Sequence, residues 1–167
     1  LVTLTGTGGC GKPRLSLQVG QAVLADYAQG VWLIELAPVA DPMLVPQAVA
    51  TTLGLREESG RAIPATLIDY LRGRKTLLLL DNCEHVIAAS AQLVEALLHA
   101  CPDLAILASS REQLGVPGET AYRVPSLALP DPRQTLEVET LAHYEAVQLF
   151  IDRARLALPD FAVTTEN

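Results

Sequence analysis

The stretch GTGGCGKPR, Gly6 to Arg14, decides the fold class that this sequence predicts. It meets the phosphate-loop pattern G-x-x-x-x-G-K-S/T at Gly6, Gly11 and Lys12, and departs from it at Pro13, where the pattern has Ser or Thr. In such a loop, backbone N–H groups of glycines and of a helix N-terminus face an anion. The stretch therefore predicts a phosphate-binding loop with one altered position.

The residues on either side of this loop have the strand and helix patterns that a phosphate-binding loop requires. Leu1 to Thr5 has the pattern of a short strand, and Leu15, Val19 and Val23 recur at helical spacing, so the loop lies where a strand becomes a helix. Lys12 is expected to reach the β- and γ-phosphates of a nucleotide; the alternative is an ordinary glycine turn with a surface lysine. The candidate nucleotide contacts are Gly6, Gly8, Gly9, Cys10, Gly11, Lys12, Pro13 and Arg14.

Pro13 removes the hydroxyl that would coordinate magnesium and a backbone N–H that would donate to a phosphate. Because proline is well accepted at the first helical position, the helix is expected to begin there, one residue later than usual. Arg14 has no hydroxyl, and Ser16 lies nearly a turn deeper, at about 1.5 Å rise per residue. Magnesium would then be held by phosphates, water and Asp81, which predicts a weakened magnesium site, surviving nucleotide binding and negligible turnover.

A second candidate element is LLLLDN, Leu77 to Asn82. It is apolar on both faces, as a central parallel strand must be. Asp81 stands at its carboxyl end, where parallel-sheet proteins bind ligands, and its carboxylate can hold magnesium directly or through water. The alternative is an aspartate that caps the following helix.

A third element, Ser109, Ser110 and Arg111, ends the next predicted strand. Arg111 is a candidate contact of a γ-phosphate, although a solvated arginine fits the residues nearly as well. Glu84 is a candidate water-polarising base, but the residues alone favour a solvated glutamate in the first turn of a helix. The predicted catalytic set is therefore Asp81, Glu84 and Arg111.

The composition narrows the class of protein. The 167 residues are 50% hydrophobic and 19% charged, which excludes a disordered tail and suits one domain with a real core. The net charge of −7 argues against direct nucleic-acid contact by this segment, and leaves open a DNA-binding domain elsewhere in a longer protein. No apolar run reaches membrane-spanning length, and three scattered cysteines fit no disulfide framework, so a reducing cytoplasm is expected.

Strands alternate with helices along the chain, which predicts right-handed crossovers and a parallel sheet covered on both faces. Helices are expected from Asp41 to about Leu53 and from Ala142 to Leu158, and Arg56 to Arg61 is predicted as a surface loop. We predict a nucleotide-binding domain at residues 1–129, and at residues 130–167 a linker with the first helix of a truncated helical subdomain. The predicted strands are Leu1–Thr5, Val31–Leu36, Lys75–Asp81, Leu104–Ala108 and Thr120–Val124.

The chain resembles the NB-ARC-like STAND ATPases of bacteria, in particular the ATPase module of large LuxR-type and SARP-type transcriptional regulators. The resemblance covers nearly the whole chain and rests on the ordered motifs GTGGCGKP, LLLLDNCEH, ACPDLAILASSRE, LGVPGE, YRVPSLALP and EAVQLFIDRA. It implies an α/β fold: a three-layer α/β/α P-loop NTPase of the ASCE type, with parallel strand order 5-1-4-3-2 and the start of a helical subdomain.

The resemblance also implies residue roles. Lys12 matches the Walker A lysine, Asp81 the Walker B aspartate and Arg111 the sensor arginine. Asn82 stands where many relatives have a second acidic residue, and Pro13 where the family has its magnesium-binding Thr or Ser. Both departures weaken the expectation of hydrolysis more than that of binding. The family further implies an ADP-bound resting form and an ATP-bound form that exposes surfaces for assembly or activates an attached DNA-binding domain.

The motifs and the resemblance are compatible with three functions to different degrees. The first is an ADP- or ATP-binding regulatory switch in a larger signalling or transcription-regulating protein, an ATPase-like module with weak or absent hydrolysis. It implies attached DNA-binding and sensor or repeat domains, needs no membrane, and allows for nucleotide-dependent self-association. The second is a degenerate P-loop scaffold that binds no nucleotide, which Pro13 favours and the intact remainder of the motifs opposes. The third, a small-molecule kinase, lacks a recognisable acceptor-activating group.

Overall fold

The computed structural model describes residues 1–56, 60–131, 133 and 137–164, and at residues 138 and 139 it describes the backbone alone. In that part of the chain, strands alternate with helices. The strands are β1 (Val2–Thr5), β2 (Val31–Glu35), β3 (Leu77–Asp81), β4 (Ala105–Ser109) and β5 (Thr120–Arg123). The helices are α1 (Lys12–Ala22), α2 (Val45–Thr52), α3 (Ile63–Leu71), α4 (Ile87–Ala100), α5 (Val138–Leu141) and α6 (Glu145–Ala157).

The strands form one parallel sheet in the order β2-β3-β4-β1-β5. Counted from β5 instead of β2, this is the order 5-1-4-3-2. The predicted strand order is therefore confirmed. β1, which leads into the glycine loop, pairs with β4 on one side and with β5 on the other. The carboxyl ends of β1, β3 and β4 therefore lie side by side at one edge of the sheet.

The consecutive leucines of β3 fill both layers between sheet and helices. Leu78 and Leu80 belong to the larger core cluster, together with residues of α2, α3 and α4. Leu77 and Leu79 belong to a smaller cluster on the other face, against which Leu15 of α1 packs. Burying one such side chain contributes roughly 1.5–3 kcal/mol relative to leaving it exposed. The predicted central strand, apolar on both faces, is thus what the structure contains.

Gly20 allows α1 to lie close to the sheet. A Cβ atom built on Gly20 would meet Cδ1 of Leu79 at 2.8 Å and Cγ1 of Val31 at 3.1 Å. These contacts are tighter than ordinary van der Waals packing, so the absence of a side chain sets the distance between helix and strand. The glycine loop at the start of α1 is consequently held on a helix that is packed firmly against β3.

The helix predicted from Asp41 to Leu53 is shorter than expected. Asp41 caps a turn as predicted, since its Oδ1 accepts from the Met43 N–H at 2.9 Å, but that turn is a 3₁₀-helix over Pro42–Leu44 and α2 begins only at Val45. The reason is Pro46, which has no N–H to donate to the carbonyl four residues earlier.

Another boundary was wrong at the last helix. The helix predicted from Ala142 begins at Glu145, because Tyr144 has an extended backbone with ψ 130° and ends the preceding turn. The segment predicted as a loop from Arg56 to Arg61 lies partly outside the described residues.

Contacts divide the chain into two units, residues 1–124 and residues 125–167. The first contains the sheet with α1 to α4. In the second, α5 and α6 follow a segment that contains Pro125 and Pro130. The rings of Phe150 and Phe161 meet edge to face at 5.8 Å, and no residue of α6 is buried. The predicted division into functional domains at residues 1–129 and 130–167 stays a prediction.

One carboxylate holds the loop between β4 and β5. Oε1 of Glu119 accepts from the Leu114 N–H at 2.9 Å, and Oε2 accepts from the Gly115 N–H at 2.8 Å. Burial raises the pKa of Glu119, but the hydrogen bonds that its carboxylate accepts outweigh this effect, so the pKa lies below its ordinary value. The ionised side chain of Glu119 thus stabilises the loop that follows Arg111.

We expect Glu119→Gln to lower the free energy of unfolding by about 1–3 kcal/mol near neutral pH, because hydrogen bonds to a charged acceptor are lost. Since the folded pKa is depressed, this stabilisation is complete above the pKa of the unfolded chain and disappears as the pH falls through the folded pKa. Urea unfolding of both proteins between about pH 7 and about pH 3 measures it. Glu95→Gln, at an exposed position of α4, is the control. A difference that does not change with pH would contradict the expectation.

Candidate functional site

The predicted site residues meet at one edge of the sheet because of strand order. β4 lies between β3 and β1, with Ala108 opposite Leu80 and Ser109 opposite Leu4. The glycine loop follows β1, Asp81 is the last residue of β3, and the segment around Arg111 follows β4. These three parts of the chain therefore lie side by side at the carboxyl ends of the strands. Ligands bind at this carboxyl edge in open parallel sheets.

The loop glycines have distinct structural reasons. Gly11 has φ 88°, a left-handed conformation that L side chains rarely adopt, and it is the residue before α1. Gly6 has φ 148°, and a Cβ there would lie 3.0 Å from Cys10 Sγ and 3.1 Å from the carbonyl oxygen of Val124. Gly8 has neither restriction, so its predicted role as a nucleotide contact stays a prediction.

The first turn of α1 has backbone N–H groups that no described side chain caps. Gly11 precedes the helix without a side-chain cap, and the first turn holds no acidic residue. Contrary to expectation, the helix begins at Lys12, so that Pro13 is its second residue. The first four N–H groups of a helix have no partner within it, so proline costs no helical hydrogen bond at this position. Arg14 lies exposed in the same turn.

Lys12 is folded back onto its own loop. Its side chain is buried, with the residue 6% exposed, and Nζ donates to the carbonyl oxygens of Gly6 at 2.8 Å and Thr7 at 3.1 Å. Cys10 Sγ lies 3.9 Å from the same nitrogen. The ammonium group thus has only neutral partners among these contacts, and a phosphate oxygen would be a stronger acceptor.

Ser109, the last residue of β4, links β4 to Asp81 and Asn82, a role that was not predicted from the sequence. It is buried, and its hydroxyl donates to Asp81 Oδ1 at 2.5 Å while accepting from the Asn82 N–H at 3.0 Å. The next N–H, of Ser110, donates to the Leu4 carbonyl at 3.0 Å. The end of β4 therefore ties the candidate Walker B aspartate to the strand that leads into the glycine loop. A hydroxyl residue at the end of an apolar strand was the signal for it.

The turn after Asp81 has an unusual backbone. Asn82 has φ 66° and ψ 53°, and among the described residues it is the one non-glycine with positive φ. Its side-chain Nδ2 lies 3.3 Å from His85 Nδ1, and His85 Nε2 lies 3.0 Å from the Val39 carbonyl. Asn82 and His85 thus join the turn after Asp81 to Val39, in the segment that follows β2.

Glu84 and Arg111, predicted in separate elements, form an ion pair. Nε of Arg111 lies 3.2 Å from Oε1 of Glu84, and the side chains are 70% and 20% exposed respectively. Glu84 is therefore mostly buried, which differs from the solvated glutamate that the residues alone favoured. Arg111 is exposed, as in the solvated alternative, but is paired.

The remaining candidates are a metal site and three thiols. The described residues contain no group of three or more His, Cys, Asp or Glu side chains that could hold a metal ion. Burial raises the pKa of Cys83 to about 12 and also raises that of Cys101, which disfavours the thiolate form of both side chains. Cys10, in the glycine loop, is partly exposed.

Sequence comparison finds relatives in Mycobacterium tuberculosis, one of which is named as a regulator. No family model matches the chain. Over its 167 residues it is 41% identical to a Mycobacterium tuberculosis (strain H37Rv) protein named "Putative HTH-type transcriptional regulator", and 38% identical to an uncharacterized protein of the same strain. The chain spans 17% of the length of the first relative and 39% of the second.

A solved structure resembles this one in its fold. Cdc6p from Pyrobaculum aerophilum superimposes with a TM-score of 0.56 at 15% identity, over 74% of this chain and 38% of that chain. None of the described helices is long and apolar enough to cross a membrane. The parallel five-stranded sheet in the order β2-β3-β4-β1-β5, flanked by helices, together with this likeness shows that the chain has a P-loop ATPase-like fold.

Proposed function

We propose that this chain is the adenine-nucleotide-binding module of a larger regulatory protein, and that ADP or ATP binds at the loop between β1 and α1. The observation that carries the proposal is the meeting of three kinds of group at one sheet edge. These are the uncapped N-terminus of α1, the ammonium of Lys12 and the carboxylate of Asp81. The first two suit phosphates, and the third suits a phosphate-bound cation.

The loop has room for phosphates. Apart from the adjoining residues of the chain, no atom of the described structure lies within 4 Å of a Cβ built on Gly8, Gly9 or Gly11, so the space beside these residues is open. Lys12 could exchange a neutral carbonyl for a charged phosphate oxygen, which makes a stronger hydrogen bond. Bound ATP would supply the terminal phosphate that distinguishes it from ADP, and Arg111 is the residue proposed to contact it.

The fit to magnesium is weaker than the fit to phosphate. Asp81 Oδ1 already accepts from Ser109, and Pro13 offers no hydroxyl. Magnesium prefers several oxygen ligands at octahedral positions and readily keeps water in some of them. We therefore propose that Asp81 assists a cation held mainly by phosphates and water, and that hydrolysis is slow or absent.

The relatives support a regulatory setting. Because the first is named as an HTH-type transcriptional regulator and is much longer than this chain, we propose attached DNA-binding and sensor or repeat domains in the parent protein. We further propose that the module belongs with the NB-ARC-like STAND ATPases of LuxR-type and SARP-type regulators, works in the cytoplasm, and self-associates in a nucleotide-dependent way. The net charge of −7 leaves nucleic-acid contact to those other domains.

A second candidate is a scaffold that has kept the fold and binds no nucleotide. Two observations favour it: Pro13 replaces the magnesium-binding residue, and Lys12 Nζ is satisfied by the carbonyls of Gly6 and Thr7. Thermal unfolding with ADP and ATP, with and without magnesium, separates the two functions. A ligand at about a hundred times its dissociation constant adds about 2.7 kcal/mol of stability, whereas the scaffold would show no shift.

We also expect bound ADP to protect Cys10 from alkylation. Cys83 and Cys101 are buried, so Cys10 should be the thiol that iodoacetamide modifies in the folded protein. ADP at about ten times its dissociation constant should slow this reaction roughly tenfold, because only ligand-free protein exposes the loop. Mass spectrometry of digested protein measures the rate, with Cys10→Ser as the control. An unchanged rate in protein that ADP demonstrably stabilises would place the nucleotide elsewhere.

A further inference from the structure

Glu84 has an unusual position for a carboxyl side chain. It is mostly buried in the turn after β3, and Oε1 has the guanidinium of Arg111 as its partner at 3.2 Å. Its other oxygen, Oε2, is buried and accepts no hydrogen bond from any residue that the structure describes. A buried carboxylate that loses its positive partner is strongly disfavoured. The ion pair with Arg111 therefore stabilises Glu84 in this position.

We propose, building on the proposed function, that Glu84 determines the preference of this site for ADP over ATP by competing with the γ-phosphate for Arg111. The Arg111 side chain is 70% exposed, so it can turn towards a ligand at the neighbouring loop. Turning would leave Glu84 without its partner. ADP has no γ-phosphate and leaves the pair intact, so the disadvantage falls on ATP alone.

Glu84 would also weaken ATP binding if Arg111 contacted Glu84 and the γ-phosphate at the same time. A guanidinium has five N–H donors, and Nε is the atom that lies against Glu84. If its other donors reached the γ-phosphate while Nε stayed in place, the phosphate would lie near the negative charge of Glu84. Like charges at short distance repel, so the carboxylate would again weaken ATP binding and spare ADP.

The test is the ratio of dissociation constants for ADP and a non-hydrolysable ATP analogue, measured by calorimetry on Glu84→Gln. We expect the analogue to bind roughly three- to tenfold more tightly than to the parent, the range of a partly buried ion pair, while ADP affinity changes less than about twofold. Glu84→Asp keeps the charge on a shorter side chain and should give an intermediate ratio. It also provides a second variant if Glu84→Gln folds poorly.

A double-mutant cycle shows whether Arg111 transmits the effect. In an Arg111→Ala background, Glu84→Gln should change the ratio by less than about twofold, because no pair remains to be broken. Glu112→Gln, at an exposed neighbouring position, removes the same charge and should leave the ratio unchanged.

Three results would overturn the proposal: an unchanged ratio in Glu84→Gln, weaker binding of the analogue, or a gain that persists without Arg111. Each leaves the proposed nucleotide site intact. A parent protein that binds neither nucleotide would overturn both.

Discussion

Lys12→Ala is expected to lower the affinity for ADP about a hundredfold. Lys12 is the buried cation of the glycine loop, and its ammonium group is the one positive side chain whose contacts lie within that loop in the described structure. Hydrogen bonds to charged groups contribute about 1.5–3 kcal/mol each, and every 1.4 kcal/mol is roughly tenfold in affinity. Calorimetric titration of both proteins with ADP measures the loss.

The matched control for this substitution is Lys75→Ala. Lys75 is exposed and precedes β3 at the amino edge of the sheet, opposite the candidate site, with its Nζ 5.9 Å from the Tyr27 ring centroid. It removes the same charge, so a general electrostatic effect would appear in both variants. Lys12→Ala also leaves the Gly6 and Thr7 carbonyls without their partner, so its melting temperature without ligand is needed. Folded Lys12→Ala protein with unchanged ADP affinity would refute the proposed site.

The sequence predicted those parts of the fold that depend on local pattern. Four leucines in β3 required burial on both faces, and the two core clusters receive them alternately. Strand order depends on pairing between distant segments, so it came from the family resemblance and not from periodicity. The start of α2 was wrong because Pro46 lies inside a pattern that otherwise predicts helix from Asp41.

The candidate site likewise has parts that local sequence patterns predict and parts that depend on contacts between distant segments. The glycine loop and Asp81 were predictable because each stands at a strand end within a short motif. The bond from Ser109 to Asp81 and the pair of Glu84 with Arg111 join residues on different strand ends, so no local pattern contains them. Placing β4 beside β3 is the step that would have brought these groups together. The site roles of the loop residues, Asp81, Glu84 and Arg111 stay predictions.

Pro13→Thr is expected to raise single-turnover ATP hydrolysis at least about tenfold and to strengthen the dependence of ATP affinity on magnesium, because a hydroxyl returns to the first turn of α1. Pro13 is already the second residue of this helix, so the change requires no new helix start. Ser16 cannot replace the hydroxyl, since it is buried and its Oγ donates to the Pro13 carbonyl at 2.8 Å. That bond uses a backbone oxygen and survives the substitution.

Pro13→Ala separates the two groups that proline removes. It restores the backbone N–H but no hydroxyl, so it should bind nucleotide somewhat more tightly than the parent while its magnesium dependence and turnover stay close to those of the parent. Hydrolysis of radiolabelled ATP by excess protein, followed across a magnesium titration, compares all three proteins. If Pro13→Ala gained as much turnover as Pro13→Thr, the missing amide would be the cause of slow chemistry. A parent as fast as Pro13→Thr would mean that this site positions the γ-phosphate without the hydroxyl, because precise placement is what the magnesium ligand contributes.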